Sequence, residues 1–283
     1  MKKAIIIVLI VISTVFFGVL VYAGLVRARG VPVSAEEQPR PRVAVPALEK
    51  SIDLSQGIDR SFWDTLDAYV IDVVYQIMIL PWPKPWQKET IPQLKVRAFH
   101  NHQDIYFYLE WEDRTEDKVH GVGQFSDASA VMFPLDDTIQ TSSLMMGFLS
   151  AANIWQWKAS QDRQYWLNER SERRAYVDFY YPFEQEELFV VSKEKTQSAV
   201  NDLVSIRVGT VTPNSTQTVN GRGRHDDGVW RVVFKRSLAT ESHEVDIQFE
   251  PGEKQCVFAI WNGSNGDRGG RKSISNWVVL DIQ

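Results

Sequence analysis

Short runs of alternating apolar and polar residues, separated by turn residues, recur along most of the sequence. The clearest is DIYFYLEWED at residues 104–113, in which Ile105, Phe107, Leu109 and Trp111 share one face of a strand. Similar runs are QLKVRAF, SAVMFPL, AYVDFYY, VSIRVGTV, GVWRVVFK, EVDIQFE, QCVFAIW and NWVVLDI. Only SFWDTLDAYVIDVVYQ and SSLMMGFLSAANI have a partly helical pattern. The sequence therefore predicts a mainly β fold, an antiparallel β-sandwich with a few short helices.

The N-terminus carries an apolar run over residues 4–26, preceded by two lysines and followed by two arginines. A helix of about 20 apolar residues is long enough to cross a bilayer. The run also contains VYA, an acceptable signal-peptidase motif. We interpret residues 1–29 as a signal peptide or a hydrophobic membrane-anchor helix. Either interpretation predicts an exported chain, in the periplasm or an equivalent extracytoplasmic compartment.

The next segment, GVPVSAEEQPRPRVAVPALEK at residues 30–50, is rich in proline and charge and has no apolar period. This composition is typical of an extended linker. The predicted organisation is therefore a hydrophobic segment over residues 1–29, a linker over residues 30–50 and one sandwich domain over residues 51–283.

Composition excludes several classes of protein. The net charge of -5 provides no basic field, which argues against nucleic acid as a partner. The single cysteine, Cys256, excludes an intrachain disulfide, a thiolate zinc site and a CxxCH haem attachment. Its apolar neighbours, KQCVFAIW, predict a buried structural thiol. The ten tryptophans and fourteen phenylalanines favour a flat apolar ligand or a stacked protein interface.

Candidate catalytic residues are few. His100 and His102 are either half of a metal site or solvated histidines in a turn. The glycine-rich segment NGSNGDRGGRK lacks a GxxxxGK[ST] pattern, so a tight loop is the better interpretation than a nucleotide site. Acidic pairs such as Asp136-Asp137 lie in polar turns. No set of nucleophile, base and orienting residue can be argued from the sequence, so we assign no catalytic residue.

The segment LMMGFLSAANIWQWK places two of the five methionines beside a glycine and ahead of a Trp-Gln-Trp triplet. Methionine commonly fills irregular gaps in a core. A thioether is also a soft metal ligand. The residues themselves leave both interpretations open.

Five motifs occur in one order: YFYLEWED, FSDASAVMFP, SSLMMGFLSAANIWQWK, GVWRVVFKRSL and FAIWNGSNGDRGGRKSISNWVVLDI. In that order, across residues 71–282, the chain resembles the haem-b-binding gamma subunits of periplasmic molybdenum enzymes. These enzymes are ethylbenzene dehydrogenase, dimethyl-sulfide dehydrogenase, selenate and chlorate reductases, and nitrite oxidoreductase. The family fold is a β-sandwich, in agreement with the strand prediction. The resemblance implies one non-covalent haem b, held by a methionine and, in several members, a lysine.

The resemblance also implies specific ligands. The Met-Gly of the family, ahead of Asn-Ile-Trp, matches Met146, with Met145 as the fallback ligand and with Asn153 and Trp155 as further haem-binding residues. The family lysine after Gly-x-Trp matches Lys235 in GVWRVVFKR, for which a solvated strand lysine is the alternative. Two axial protein ligands leave no open position for a substrate. The haem is therefore expected to relay electrons.

The implied function is electron transfer within an oxidoreductase complex. A molybdenum-containing alpha subunit would act on the substrate, and an iron-sulfur beta subunit would pass electrons to or from this haem. A cytochrome c-type or membrane carrier would be the external partner. The aromatic segment MILPWPKPWQKETIP resembles subunits of nitrite oxidoreductase or nitrate reductase, which favours that substrate class.

Two other functions remain open. One is a secreted carbohydrate-binding β-sandwich, in which Trp155, Trp157 and Trp261 would stack on sugar rings; exposed tryptophans would favour it. The other is a structural anchor that holds a larger complex at the membrane and has lost its haem.

Overall fold

The computed structural model describes residues 40–76, 90–119, 123–136, 151–167, 173–176, 188–192, 196–206 and 210–283, and of 173–176 and 188–192 it describes the backbone alone. These residues belong to the unit Arg40–Gln283. The hydrophobic segment predicted over residues 1–29 lies outside the described residues. Within the part that is described, no helix has the length and apolar character needed to cross a membrane.

Strands dominate the described residues. They are β1 (Arg42–Val45), β2 (Tyr69–Tyr75), β3 (Gln93–His100), β4 (Asp104–Glu112), β5 (Ala128–Pro134), β6 (Ala152–Lys158), β7 (Arg173–Tyr176), β8 (Leu188–Ser192), β9 (Val200–Ser205), β10 (Thr212–Pro213), β11 (Asn220–Asp226), β12 (Val229–Ser237), β13 (Gly252–Trp261), β14 (Ser273–Ser275) and β15 (Val278–Ile282). The α-helices are α1 (Arg60–Trp63) and α2 (Ala159–Trp166), and short 3-10 turns span Leu54–Gln56 and Gly263–Asn265.

The strands form two layers. The first layer has the order β2-β3-β4-β12-β11, and the second has the order β10-β9-β6-β5-β13-β14. Pairing of β14 with β2 joins the layers at one edge, and β15 pairs with both β13 and β1. Pairing within the two layers is antiparallel, whereas β1 runs parallel to β15. The predicted mainly β, antiparallel fold with few helices is confirmed.

Aromatic side chains from the two layers meet in the core between them. The ring centroid of Phe107 in β4 lies 5.9 Å from those of Phe133 in β5 and Trp155 in β6. The four apolar residues that the alternation assigns to one face of β4 are at most 2% exposed and belong to this core. Burying each such side chain contributes about 1.5–3 kcal/mol.

The outer face of the first layer is covered by the segment that contains α1. Trp63 of α1 stacks on Tyr108 of β4, with 4.9 Å between ring centroids. Phe99 of β3 stacks on Tyr106 at 4.5 Å beneath the same cover. Both faces of β4 are therefore buried, so its tyrosines are as inaccessible as its phenylalanine.

The sandwich begins earlier in the chain than we predicted. Residues 30–50 were expected to be a linker, yet Arg42–Val45 forms β1 and pairs with β15. The reason is burial: Val43 and Val45 are fully inaccessible in the core. Apolar alternation in this short stretch was hidden by its proline-rich surroundings.

Two further local expectations differ from the structure. EVDIQFE was expected to be a strand, but Val245 and Asp246 donate backbone hydrogen bonds to Ser242 in a turn. The apolar residues of EVDIQFE alternate with polar ones because Ile247 and Phe249 are buried in the core, although the segment is irregular. In SFWDTLDAYVIDVVYQ the helix is confined to Arg60–Trp63, and β2 follows.

Candidate functional site

A cavity of about 530 Å³ lies on the outer face of the second layer, over β5, β6 and β13; we call it the outer cavity. Its floor consists of alternate residues that point away from the core. Four of these are small, namely Ala128, Ala130, Ala152 and Ala259. Small side chains on three adjacent strands leave a hollow, and the volume falls within the range of small-molecule sites.

Lys272 lines one end of the outer cavity. Ile260 pairs with Ser273, so Lys272, the residue before Ser273, lies opposite Trp261 on the neighbouring strand. The Lys272 Nζ lies 5.5 Å from the centroid of the Trp261 ring. Burial lowers the pKa of the Lys272 ammonium to about 8. Among the described residues no hydrogen bond or ion pair holds this Nζ. Lys272 is therefore an amine that loses its proton more easily than an exposed lysine does.

Met132 lines the same cavity from β5, where it pairs with Val257 of β13. Its side chain is partly buried against Val257 and Trp277. Met132 lies opposite Val257, and Lys272 lies opposite Trp261, which is four residues further along β13. Met132 and Lys272 are also two strands apart, so the usual strand spacing puts their Cα atoms about 16 Å from each other. A thioether and a poorly solvated amine thus face one apolar cavity from opposite ends.

The rim of the outer cavity carries positive charge. Lys158 and Arg268 both line it, and the Arg268 guanidinium lies 4.5 Å from the ring centroid of Phe125. Arg268 is exposed, so its charge is available to a ligand. An apolar floor with a basic rim suits a flat apolar molecule that bears anionic groups.

Hydrogen bonds hold the segment that carries Lys272. The backbone N of Gln76 donates to the Lys272 carbonyl at 2.8 Å. The Asp267 carboxylate accepts from the backbone N of Asn262 at 3.0 Å and from the Tyr75 hydroxyl at 3.1 Å. Burial, with the Asp267 charge, raises the pKa of Tyr75 to about 12, so the hydroxyl remains a donor. Lys272 is therefore fixed at its main chain, while its side chain faces the cavity.

Gly263 begins the 3-10 turn of this segment and packs tightly. A Cβ at this position would overlap the backbone oxygen of Phe125. Its backbone N donates to Asp127 Oδ1 at 2.7 Å, which ties the turn to the start of β5. Only glycine fits this close approach.

The predicted methionine ligands cannot be placed, because Met145 and Met146 lie outside the described residues. Lys235 lies in β12 opposite Tyr106 of β4, on the outer face of the first layer. Its Nζ is 3.1 Å from Asp104 Oδ2. Burial acts to lower its pKa, but the hydrogen bond to Asp104 and the charges of Tyr106 and Asp104 raise it overall. Lys235 and the outer cavity are thus on opposite outer faces of the sandwich.

The other two predicted residues lie beneath the outer cavity. Asn153 and Trp155 are fully buried in β6 and face the core. The Trp155 indole donates to Asn153 Oδ1 at 2.9 Å, and Asn153 Nδ2 donates to Asp202 Oδ1 at 2.7 Å. They support the cavity floor from the inside, and neither side chain lines it.

Comparison with known sequences identifies the family. The profile of the ethylbenzene dehydrogenase family matches residues 61–273, most of the chain. The chain belongs to this family. The predicted membership among haem-binding gamma subunits is therefore confirmed.

The relatives are haem or gamma subunits by name. A protein described as the haem subunit of a respiratory nitrate reductase (ORF7), from Haloferax mediterranei, is 25% identical over 76% of this chain. The dimethylsulfide dehydrogenase gamma subunit of Rhodovulum sulfidophilum is 25% identical over 78% of this chain and 72% of its own length. The chlorate reductase gamma subunit of Ideonella dechloratans is 23% identical over 62% and 59%. The chain spans 64% of the length of the Haloferax protein.

Among solved structures, a family 9 carbohydrate-binding module from Caldicellulosiruptor kristjanssonii in complex with glucose matches with a TM-score of 0.43 and 10% identity. The match covers 86% of this chain and 95% of the module. At this level the likeness indicates neither a ligand nor an activity.

Sequence reasoning missed Met132 and Lys272, although both lie within motifs that it used. Ala128 and Ala130 precede Met132 at the same alternation, a pattern of small outward residues that indicates a concave sheet face. Lys272 ends the glycine-rich segment that was interpreted as a loop. It stands two residues before Ile274, so it shares the outward face of β14.

Proposed function

We propose that this chain is the non-catalytic electron-transfer gamma subunit of a molybdenum oxidoreductase complex, and that it holds one non-covalent haem b in the outer cavity. Family membership and the names of its relatives support the subunit assignment. The cavity supports the cofactor. Its apolar floor, thioether, buried amine and basic rim fit a flat macrocycle with carboxylate groups.

The observation that carries the proposal is Lys272, a potential iron ligand whose amine faces the outer cavity. A lysine binds a metal only as the neutral amine, and burial has already lowered the pKa of Lys272 to about 8. The Met132 thioether is a soft ligand that favours ferrous iron. The bound haem would supply one-electron redox chemistry.

Lys235 is a poorer ligand on physical grounds. Its ion pair with Asp104 stabilises the ammonium, whereas ligation requires the free amine. We therefore prefer Lys272 as the lysine ligand. Met132 lines the same cavity, but at about 16 Å between Cα atoms its thioether and the Lys272 amine cannot both reach one iron. Met132 is therefore an alternative ligand to Lys272 within the described residues, and Met146 stays a prediction.

The partners and location follow from the subunit assignment. We propose an iron-sulfur beta subunit, a molybdenum alpha subunit and a cytochrome c-type or membrane carrier as electron partners. We also propose export to the periplasm or an equivalent compartment, with residues 1–29 as signal peptide or anchor. A nitrate or nitrite enzyme is the substrate class we favour, supported by the aromatic segment at residues 78–92 and the Haloferax relative.

The structure weakens the carbohydrate-binding alternative, because two of the three tryptophans predicted to stack on sugar rings are inaccessible. Trp155 and Trp157 are fully buried in the core and cannot stack on a sugar. Trp261 alone lines the outer cavity, beside Lys272.

The test is a pyridine haemochrome assay on the purified full chain, followed by visible spectra of two lysine variants. We expect one b-type haem per chain. Lys272→Ala should lose haem and its low-spin spectrum, because the stronger donor is gone. Lys235→Ala is the matched control and should keep both, since its ammonium is paired on the opposite face.

Two results would count against the proposal. A wild-type chain that purifies and reconstitutes without haem would refute the cofactor. A spectral change confined to Lys235→Ala would keep the haem but move its lysine ligand to the first layer.

A further inference from the structure

The Lys272 side chain lies against the ring of Trp261. Its Nζ is 5.5 Å from the ring centroid, within the range of a cation–π contact. No hydrogen bond or ion pair involves this Nζ within the described part of the chain. Lysine is among the side chains that lose most rotamer freedom on ordering. The Trp261 ring is therefore a contact that can restrict a side chain with many other conformations open to it.

Trp261 is itself held at two places. Its main chain pairs with Ala128 of β5. Its indole N–H donates to the carbonyl of Gly269 at 3.0 Å. The residue is 8% exposed and lines the outer cavity. A ring fixed at its main chain and at its indole nitrogen has little freedom to turn away from Lys272.

A glycine turn supplies the carbonyl that anchors the indole. The backbone N of Arg271 donates to the carbonyl of Arg268 at 2.9 Å, which closes a tight turn over Gly269 and Gly270. Gly269 has a φ of 54°, a left-handed conformation that glycine adopts without strain. Lys272 is the residue after Arg271. The turn therefore fixes both the anchor of the Trp261 ring and the main chain from which the amine extends.

The surroundings of Trp261 differ from those of the core tryptophans. Trp261 belongs to a small cluster on the outer face with three alanines, Ala128, Ala130 and Ala259. Small neighbours leave one side of the ring open to the outer cavity, where Lys272 lies. The indole N–H is a donor only, so the ring cannot itself ligate a metal through this nitrogen. Any effect of Trp261 on an iron ligand must therefore pass through Lys272.

We propose that Trp261 is a positioning residue that holds the Lys272 amine toward the haem in the outer cavity. This inference rests on the proposed haem site and on Lys272 as a ligand. The ring limits the conformations of the lysine before the metal is bound, so less freedom is lost when the amine reaches the iron. It also keeps water from one side of the amine.

The test compares Trp261→Phe with the wild type, each purified as the full chain and loaded with haem. Phenylalanine keeps an aromatic ring but lacks the indole N–H, so the ring is no longer tied to Gly269. The high-spin fraction of the bound haem should rise several-fold, because a less restricted lysine leaves the iron more often. The reduction potential should also rise, since the amine is a harder donor that favours ferric iron, whereas a weakened thioether would lower it.

Trp166→Phe is the matched control. The Trp166 indole donates to the carbonyl of Gly221 at 3.1 Å, so the same substitution removes the same kind of hydrogen bond. Trp166 does not line the outer cavity. This variant should keep the spectrum and the potential of the wild type. Tm is measured for both variants, so that a loss of stability common to the two is not counted as a positioning effect.

The outcomes separate this inference from the proposed function. A wild type without haem overturns both, and an unchanged spectrum in Lys272→Ala removes the ligand on which Trp261 acts. With haem and Lys272 ligation intact, a Trp261→Phe variant that matches the Trp166→Phe control overturns the positioning role. Partial haem loss with the remaining haem still low-spin also overturns it, because packing alone would then account for the effect. If Trp261→Phe retains no haem, Trp261→Tyr takes its place, and loss of all haem from both counts against the role.

Discussion

The Trp157 indole in β6 donates to Asp162 Oδ1 in α2 at 2.8 Å. The same oxygen accepts from the backbone N of Gly223 in β11, also at 2.8 Å. One carboxylate oxygen therefore joins the second layer, the helix and the edge of the first layer. Burial raises the pKa of Asp162 to about 6, so this junction titrates within an accessible pH range.

Asp162→Asn should raise stability at neutral pH. A carboxyl whose pKa is higher in the folded than in the unfolded state contributes stability at low pH, and this contribution is lost as pH rises from 3.8, the ordinary pKa, to about 6. The loss is at most about 3 kcal/mol. Asparagine keeps both hydrogen bonds on its Oδ1 without the charge. Urea unfolding at pH 4, 6 and 8 should show a gain of about 1–3 kcal/mol for the variant at pH 6 and at pH 8, and little gain at pH 4.

The control for this prediction is Asp226→Asn, which changes an exposed carboxylate paired with Arg224. It should shift the free energy of unfolding by no more than about 0.5 kcal/mol at any pH. A variant at position 162 that is less stable than the wild type at pH 8 would show that the charged form is the one the fold prefers.

Gly223→Ala should destabilise the sandwich. A Cβ at this position would overlap the Trp157 ring, which is buried and held by its bond to Asp162. Overpacking of this kind costs about 1–3 kcal/mol, or several degrees in Tm. Arg224→Ala, the next residue of the same strand, is exposed and should leave Tm within about 2 °C. Equal Tm values for the two variants would mean that the ring moves aside.

The regular strands were predictable, and the irregular buried segments were not. The alternation in β4 identified its core side chains because side chains of a strand alternate between its faces. The same alternation wrongly predicted a strand around Ile247 and Phe249, which are buried but lie outside any strand. The backbone N of Phe249 instead donates a hydrogen bond to the carbonyl of Leu238. Alternation reports burial, and only the pairing partners decide whether a strand forms.

The site was harder to predict than the fold. Sequence motifs marked segments that contain both Lys235 and Lys272, but not which of them faces a cavity. That depends on how the layers fold over, since β14 pairs with β2 and β12 pairs with β4. The ion pair of Lys235 with Asp104 and the partial burial of Lys272 are tertiary properties that no local pattern records.

Arg236 should prove essential for stability. It is 1% exposed, and its guanidinium lies 4.9 Å from the Trp155 centroid and 5.0 Å from that of Phe249. Burial lowers its pKa to about 10, against the charges of Asp246 and Asp202, so it stays positive at neutral pH. Arg236→Met leaves these acids uncompensated and should cost about 3–5 kcal/mol in urea unfolding.

Two variants separate charge from shape at this position. Arg236→Lys should recover only part of the loss, because an ammonium cannot reproduce the flat guanidinium between two rings and its bond to the Ile247 carbonyl. Adding Asp246→Asn to Arg236→Met should restore stability relative to the single variant. An additive double variant would show that the acid and the arginine are not coupled.

The last prediction concerns the methionine ligand. If Met132 is axial, Met132→Ala should open one coordination position, seen as a shift toward high spin, new carbon monoxide binding and a lower potential, because the soft thioether that favours ferrous iron is lost. Met146→Ala and Met145→Ala are the matched controls and should keep the low-spin spectrum.

Haem loss in Met132→Ala would not by itself identify Met132 as a ligand, because this side chain also packs against Val257 and Trp277. Met132→Leu, which keeps the side-chain volume, must therefore give the same spectral change. The spectrum of Met146→Ala then decides between the two positions: a high-spin shift there, with Met132→Leu unchanged, would return the ligand to the segment between β5 and β6 and leave Met132 as part of the cavity floor.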